Sequence, residues 1–355
     1  MSAELERIPM SCGISFIIPV YNAENYLRQT LDSIVKQDDG NIEIICVNDG
    51  STDNSFEMLE SYSQQYACIH VISQRNSGIT VARNVGLRQA QGDWICFIDD
   101  DDILAQGAVN LIENKADPTC QIVYFQYSPF STDSPNQQDN DVKGIQYFTE
   151  VQIRHIQADC INRFRSNKPV IPHSVLPTPW AKIYRHEFLQ NFGFHFRDEV
   201  THEEDVVFNF ELLSKVRKAM QIDSILYYYR WSISSESHRY RPQILSSVNK
   251  TLDAYKEIIQ QDYPQRKDIA ELYRYRVLWE LLYCIYLGPM HAQNPHSYSQ
   301  RKLEFINLLN GPRFKGIFSS VSTLRFEWPQ ATLSTLIKYR QFWLLNLLGK
   351  LKRRI

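Results

Sequence analysis

Four short apolar runs, each followed by a segment of helical periodicity, open the chain. The runs are Ile14–Val20, Ile42–Val47, Ile69–Ile72 and Trp94–Ile98. Continuous apolar runs of this length are typical of strands that are buried on both faces. In the segments between them, apolar residues recur at helical spacing, as in Leu27, Leu31 and Ile34. The alternation predicts an α/β fold with a parallel, right-handed, doubly wound sheet.

Polar residues follow three of the predicted strands, at the point where each strand ends. Tyr21 and Asn22 follow the first strand, residues 48–53 follow the second, and four consecutive aspartates, residues 99–102, follow the fourth. Ligands of doubly wound sheets bind beyond the carboxyl ends of the strands. We therefore expect the three clusters to meet at one rim and to form a binding site.

The second half of the chain has a different pattern. Residues 128–144 are polar and predict a loop, and helical periodicity dominates from about Pro242 onward. We expect a catalytic domain over residues 1–235 and a helical C-terminal region over residues 236–355. From Ala331 to the end there is no acidic residue, and basic residues alternate with apolar ones. This tail predicts either an interfacial helix on an anionic membrane surface or a terminal helix packed on the catalytic domain.

Composition narrows the class of protein. The chain has 355 residues, a formal net charge of −2 and 43% hydrophobic residues, which describes a folded globular protein and gives no global attraction to nucleic acid. Its seven cysteines form no CxxC pair, which argues against a zinc ribbon and favours a reducing compartment. We find no secretory signal and no run of about 18 apolar residues. These features predict a cytoplasmic protein.

The aspartate run is the sharpest chemical feature. Four adjacent carboxylates repel one another, and Mg²⁺ or Mn²⁺ prefers oxygen ligands, often one or two carboxylates together with substrate phosphates. The alternative is that the run only caps a helix that begins near Ile103. Residues 48–53 are likewise open to two interpretations, a plain turn or a carboxylate that accepts a hydrogen bond from a nucleotide base.

Five ordered blocks in this part of the chain resemble glycosyltransferase family 2. They are Pro19-Val20-Tyr21-Asn22, then residues 47–53 (VNDGSTD), Gln74-x-Asn76-x-Gly78, Ala82-Arg83-Asn84-x-Gly86, and residues 92–102 (GDWICFIDDDD). The resemblance is strong over residues 12–110 and weaker through residues 179–184, 203–208 and 227–230. It ends by about Ser235, because residues 231–238 depart from the family's short loop with Gly and Ser.

The resemblance implies a GT-A fold, a Rossmann-like and mostly parallel sheet flanked by helices, with a C-terminal helical extension. It implies an inverting, metal-dependent enzyme that moves a sugar from a nucleotide diphosphate sugar, a UDP-sugar, to a glycan or lipid-linked acceptor. The setting would be the assembly of lipopolysaccharide, capsule or exopolysaccharide at the inner face of the cytoplasmic membrane. The cofactor would be Mn²⁺ or Mg²⁺.

The resemblance also implies roles for single residues. Donor-binding positions would be Pro19 and Tyr21 beside the base, Asp49 on the base, Arg83 near the base or diphosphate, and Asp99 and Asp100 on the ribose or sugar. Asp101 would bind the metal, and Asp205 would be the catalytic base.

Several alternatives stay open. Asp205 and its neighbour Glu204, an acceptor or phosphate contact, could instead form the acidic first turn of a helix. Trp180 could stack on a sugar or lie in the core, and Lys182 could offset phosphate charge or extend at the surface. A non-catalytic nucleotide-sugar or glycan-binding module is the second function. The third function is a nucleotidyltransferase. Such an enzyme usually has a glycine-rich, basic phosphate loop after the first strand, where this chain has residues 21–24 (YNAE).

Overall fold

The computed structural model describes residues 13–131, 134–135, 142–162, 177–231, 240–322 and 330–351. These residues divide into two compact units. The first unit comprises the described residues within 1–154, 171–198 and 204–232, and the second comprises those within 155–170, 199–203 and 233–355. The predicted domain boundary at residue 235 stays a prediction, and each unit is described by itself below.

The strands of the described residues all lie in the first unit. They are β1 Ile14–Val20, β2 Ile42–Asn48, β3 Ile69–Ser73, β4 Trp94–Phe97, β5 Ile103–Leu104, β6 Ile122–Phe130, β7 Ile145–Tyr147, β8 Lys182–Arg185 and β9 Ala219–Arg230. The helices of the first half are α1 Leu27–Val35, α2 Ser55–Gln65, α3 Ile79–Gln89, α4 Ala108–Lys115, α5 Glu150–Ile161, α6 His186–Phe192 and α7 Glu204–Leu213. Those of the second half are α8 Ile244–Asp262, α9 Lys267–Leu287, α10 Tyr298–Asn310, α11 Ile317–Ser320, α12 Gln330–Lys338 and α13 Phe342–Leu351.

The first four strands form the parallel sheet that the sequence predicts. Their order is β3-β2-β1-β4, and every neighbouring pair among them is parallel. All seven residues of β1 are buried, which explains the uninterrupted apolar run. Helix α3 approaches this strand so closely that a Cβ atom on Gly86 would collide with the side chain of Ile17. The glycine is therefore required by helix-to-strand packing.

Beyond β4 the sheet becomes mixed. Its order continues β4-β8-β6-β9-β5, and β7 pairs with β9. Strand β8 is antiparallel to both β4 and β6, whereas β9 is parallel to β6 and antiparallel to β5. The long strand β9 therefore runs beside the segment that follows the aspartate run.

The structure corrects one prediction about that segment. Residues Ile103 and Leu104 are buried and form strand β5, which pairs with Tyr227 and Tyr228 of β9. The next helix, α4, begins only at Ala108. The alternative in which the aspartates cap a helix near Ile103 was wrong, because the chain stays extended there and pairs with a distant strand.

The second unit has its own apolar core. Helices α8 and α9 share one cluster of buried side chains, including Leu252 and Leu278, and α10 and α13 contribute Phe305 and Leu345 to it. Among the described residues, no helix is long and apolar enough to cross a bilayer. The last basic residues of the predicted tail, from Lys350 onward, lie outside the described side chains.

Candidate functional site

Three polar clusters meet at the carboxyl ends of the first strands, as the sequence predicts. Pro19 lies in β1 beside Val47, and Tyr21, which follows β1, is half exposed. The backbone N–H of Asn22 donates to the Ser51 hydroxyl at 3.1 Å. The Tyr21 N–H donates to Asp100 Oδ2 at 3.0 Å, so the loop after β1 joins the loops after β2 and β4.

The Asp49 carboxylate organises the loop after β3. Its Oδ1 accepts from Gln74 Nε2 at 2.7 Å and from the Ser77 N–H at 2.8 Å. Its Oδ2 accepts from the Gly78 N–H at 2.8 Å. Asp49 is 3% exposed, and both oxygens already have donors. The contact of Asp49 with a nucleotide base stays a prediction. Its three hydrogen bonds show that Asp49 also holds residues 74–78 in place.

The first two aspartates of the run each bind a different segment. Asp99 Oδ1 accepts from Arg83 Nη2 at 2.9 Å, and Asp100 accepts from the Tyr21 backbone. Because α3 and the β1 loop supply these donors, the two carboxylates are held by two different segments that both precede them in sequence.

The last two aspartates differ sharply in their contacts. Asp102 is fully buried, and it accepts from the Arg230 N–H at 2.7 Å and from the Tyr227 hydroxyl. Within the described part of the chain, the Asp101 carboxylate receives no hydrogen bond and no ion pair from another residue. Of the four carboxylates, Asp101 is thus the one that no other described residue holds by a hydrogen bond or an ion pair.

The electrostatics of the run favour a cation. Burial, together with the charges of neighbouring aspartates, raises the pKa of Asp100 to about 7 and that of Asp101 to about 6. Burial and the same neighbours raise the pKa of Asp102 well above its ordinary value. Carboxylates crowded in this way lose repulsion when a hard divalent cation binds, and their oxygens are the ligands that Mg²⁺ and Mn²⁺ prefer.

Arg83 joins the aspartate run to the acidic pair at residues 204 and 205. Its side chain is 4% exposed, and Nη1 donates to Glu204 Oε1 at 3.1 Å while Nη2 reaches Asp99. Burial alone would lower the pKa of Arg83, but the charges of Asp99, Glu204 and Asp205 outweigh it and raise that pKa. Burial and the Asp205 charge raise the pKa of Glu204. Two acidic segments 105 residues apart (204 − 99) therefore share one buried guanidinium.

Asp205 stands in the first turn of α7. Its carboxylate accepts from the Val206 N–H at 2.8 Å, and its carbonyl accepts from Asn209 Nδ2 at 2.9 Å. Helix α7 begins with Glu204 and Asp205, so these two residues do form the acidic first turn of a helix, as the alternative interpretation of the sequence expects. The two interpretations are compatible, because the same first turn brings Asp205 within the field of Arg83.

Comparison with known proteins identifies the family. The family model described as "Glycosyl transferase family 2" matches residues 15–170. The uncharacterized glycosyltransferase EpsJ of Bacillus subtilis is 31% identical over 248 residues, which cover 68% of each chain. The chain belongs to glycosyltransferase family 2.

Solved structures show that this glycosyltransferase has the GT-A fold. Staphylococcus aureus TarS 1–349 in complex with UDP-GlcNAc is 18% identical, with a TM-score of 0.53 over 96% of this chain and 92% of that one. The mannosyltransferase PcManGT of Pyrobaculum calidifontis, in complex with GDP-Man and Mn²⁺, is 16% identical, with a TM-score of 0.52 over 97% and 90%.

Two further candidate residues of the glycosyltransferase lie in the core. Trp180 is 7% exposed and stacks on Tyr227 and Tyr229 with ring centroids 5.1 and 5.2 Å apart. Lys182 is 1% exposed, and its Nζ donates to the Thr178 carbonyl at 2.5 Å. Trp180 therefore lies in the core, which was one of its two predicted positions. The prediction that Lys182 extends at the surface was wrong, because β8 lies between β4 and β6 in the interior of the sheet.

Sequence reasoning missed the part that β9 plays in this site. The Arg230 side chain donates from Nε to the Asp101 carbonyl at 2.8 Å and lies between the rings of Tyr26 and Phe130. Its backbone and the Tyr227 hydroxyl hold Asp102. The signal was present as the block at residues 227–230 (YYYR), but nothing in the sequence says which residue of that block faces the aspartates.

Proposed function

We propose that this glycosyltransferase is inverting and metal-dependent, and that it moves a sugar from a UDP-sugar to a glycan or lipid-linked acceptor of a surface polysaccharide. The observation that supports it best is the aspartate run, in which Asp99, Asp100 and Asp102 accept hydrogen bonds from other residues, whereas the Asp101 carboxylate forms no hydrogen bond or ion pair with another described residue. We assign Asp101 as the protein ligand of Mn²⁺ or Mg²⁺.

The donor would bind along the rim that these contacts build. Bound there, the metal would neutralise charge on the diphosphate leaving group. Tyr21, with its half-exposed ring, and Pro19 would border the base, and the loop held by Asp49 would close that side. Asp100 keeps the Tyr21 backbone beside Asp101, so the proposed base and phosphate positions are coupled through one hydrogen bond. TarS, which shares the fold, binds UDP-GlcNAc, and this supports a UDP-sugar.

The proposed base is Asp205, and Glu204 is its positioning neighbour. An acceptor hydroxyl is a weak nucleophile until a carboxylate takes its proton, and inversion needs that carboxylate opposite the leaving group. Glu204 pairs with Arg83, whereas, within the described part of the chain, the Asp205 carboxylate accepts a hydrogen bond only from the adjacent Val206 N–H. Asp205 therefore keeps lone pairs for a substrate proton.

The decisive experiment is transfer and donor hydrolysis across a panel of nucleotide sugars, with and without Mn²⁺ or Mg²⁺. We expect activity with a UDP-sugar that disappears on chelation and returns with metal. Asp101→Asn should lose metal-dependent donor use, whereas Glu60→Gln, an exposed carboxylate on α2, should behave like the wild type. Metal-independent transfer, or full activity of Asp101→Asn, would refute the metal assignment, and binding without turnover for every donor would favour a non-catalytic module.

Inversion and the base are tested separately. We expect the NMR anomeric configuration of the product to be opposite to that of the donor. Asp205→Asn should bind the donor as tightly as the wild type and lose transfer by a factor of about 10² to 10⁴. Retention of configuration, or unchanged transfer by this variant, would remove the assignment.

The second proposal concerns the membrane. Helix α13 buries Phe342 and Leu345 but leaves Trp343, Leu347 and Leu348 between 41% and 57% exposed. Exposed tryptophan and leucine on one helix, next to the basic chain terminus, fit a peripheral contact with anionic lipid. This arrangement would place the enzyme at the inner face of the cytoplasmic membrane, where lipid-linked acceptors are held.

Co-sedimentation with vesicles tests it. The wild type should sediment with vesicles that contain anionic lipid and less with neutral ones, and Trp343→Ser with Leu347→Ser should reduce binding. Leu303→Ser, at an exposed leucine on α10, is the matched control. Equal sedimentation of the tail variant and the control would refute the proposal.

A further inference from the structure

The side chain of Asn209 is buried one turn after Asp205 on α7, and it forms three hydrogen bonds. Asn209 is 2% exposed, and its Nδ2 donates to the Asp205 carbonyl at 2.9 Å and to the Pro177 carbonyl at 3.0 Å. Its Oδ1 accepts from the Tyr184 hydroxyl at 2.8 Å. All four residues belong to the first unit. The amide thus joins the first turn of α7 to two other segments of the same unit.

Tyr184 connects this amide to the sheet. It lies on β8, where it pairs with Ile95 of β4, the strand that leads into the aspartate run. Its ring is fully buried against Phe97 and Phe208, with centroids 5.9 and 5.8 Å away. Burial raises the pKa of Tyr184 well above its ordinary value, so the hydroxyl stays protonated and remains a hydrogen-bond donor at neutral pH.

The first turn of α7 is therefore held in two ways. Arg83 holds the Glu204 side chain at 3.1 Å, and Asn209 holds the Asp205 carbonyl. Phe208 also packs the helix against Phe196, with ring centroids 4.2 Å apart. Ring packing tolerates several geometries, whereas a hydrogen bond weakens steeply as its angle departs from linearity. The buried amide therefore restricts the backbone at Asp205 more narrowly than the rings do.

We propose that Asn209 and Tyr184, together the amide clamp, position the proposed base Asp205. Within the described part of the chain, the Asp205 carboxylate accepts only from the adjacent Val206 N–H, so its place depends on the backbone that carries it. A displacement of about 1 Å can cost about 10²-fold in rate. The clamp acts through Asp205 and does not touch the substrate. This inference rests on the proposed role of Asp205.

Near-isosteric variants of the full chain test the clamp. Tyr184→Phe removes one hydroxyl, and we expect kcat for transfer to fall about fivefold, in line with the loss of one hydrogen bond. Asn209→Leu replaces the amide by an apolar side chain of similar size and should lower kcat roughly 10- to 100-fold. The affinity for UDP, measured by calorimetry, should stay at the wild-type value in both variants.

The Asp205→Asn background separates positioning from stability. If the clamp acts through the base, Tyr184→Phe and Asn209→Leu should have little further effect on kcat in that background, because no base is left to position. Losses of equal size in both backgrounds would show a purely structural effect and overturn the inference. Full transfer by Asp205→Asn alone would instead refute the proposed base, which is a different failure.

The matched control is Tyr62→Phe. Tyr62 lies on α2, is 5% exposed and donates to Asp32 Oδ1 on α1 at 2.6 Å. This variant loses the same kind of buried hydroxyl bond between two elements of the first unit. We expect its melting temperature to fall about as much as that of Tyr184→Phe, while kcat, measured well below that temperature, stays near the wild-type value.

A second readout does not need activity. Hydrogen–deuterium exchange of a peptide over residues 204–212 should accelerate in Tyr184→Phe and Asn209→Leu and not in Tyr62→Phe. If no donor gives transfer, the proposed function fails, and this exchange result still decides whether the amide clamp holds the first turn of α7. Unchanged exchange in the clamp variants, or an equal loss of kcat in Tyr62→Phe, would overturn the inference.

Discussion

Arg83 offers the most direct test of how the acidic rim is held together. Its guanidinium is 4% exposed and pairs with Asp99, whose side chain is 26% exposed, and with Glu204, at 16%. Removing one partner of a buried ion pair costs about 3–5 kcal/mol. Because both carboxylates keep some contact with water, we expect Arg83→Met to lower the free energy of unfolding by about 3 kcal/mol.

The assay is urea unfolding at pH 7.5 without metal, followed by transfer at a temperature where the variant is folded. A second change, Glu204→Gln in the Arg83→Met background, removes one uncompensated charge. It should recover about 1–3 kcal/mol relative to additivity, as expected for residues in one network. Arg197→Met, which breaks the pair of Arg197 with Glu211 at the other end of α7, should destabilise the chain and leave transfer intact.

Two results would refute this reasoning. A loss below about 1 kcal/mol in Arg83→Met would mean that the pair behaves like an exposed surface pair. Strict additivity of Arg83→Met and Glu204→Gln would mean that the two side chains do not interact in solution.

Three further predictions concern metal, packing and the aromatic core. The pKa values of Asp100 and Asp101, about 7 and about 6, lie above those of the same residues in the unfolded chain. Protonation of these two side chains therefore stabilises the metal-free fold fully below about pH 4, and this stabilisation is lost as the pH rises to 7. Since Mn²⁺ competes with protons there, its stabilisation in differential scanning fluorimetry should be larger at pH 7.5 than at pH 5.5, and an equal shift at both would contradict this. Gly86→Ala should lower the free energy of unfolding by about 1–3 kcal/mol in urea, because its Cβ meets Ile17, whereas a neutral change would mean that α3 can move away freely. Trp180→Ala should cost about 3–5 kcal/mol by the same assay, and a change below about 1 kcal/mol would place the ring outside the core.

The parallel half of the fold was predictable because its signals are local. The four apolar runs became strands β1 to β4 with nearly the predicted ends, and the polar clusters after them meet at one rim. Each of those signals lies within about ten residues. The strand at Ile103 was not predictable in the same way, since its extended conformation depends on pairing with Tyr227 and Tyr228.

The different contacts of the four aspartates could not be predicted from the sequence either. Alternation along an extended chain predicts two sets of two, Asp99 with Asp101 and Asp100 with Asp102. In the structure the four side chains have four different environments, because their partners come from α3, the β1 loop and β9. Only the fold shows that, among the described residues, no other residue holds the Asp101 carboxylate by a hydrogen bond or an ion pair.

The hydrogen bonds of the aspartate run join residues that are far apart in sequence, which has a consequence for how the protein folds. The bond from Tyr21 to Asp100 spans 79 residues of sequence, and those from Tyr227 and Arg230 to Asp102 span 125 and 128. Contacts of such separation form late, since the entropy of closing the intervening loops opposes them. Until β9 has joined the sheet, Asp102 lacks both donors. The donors to Asp102 are therefore in place only after β9, the last of the described strands in sequence, has joined the first four strands in one sheet.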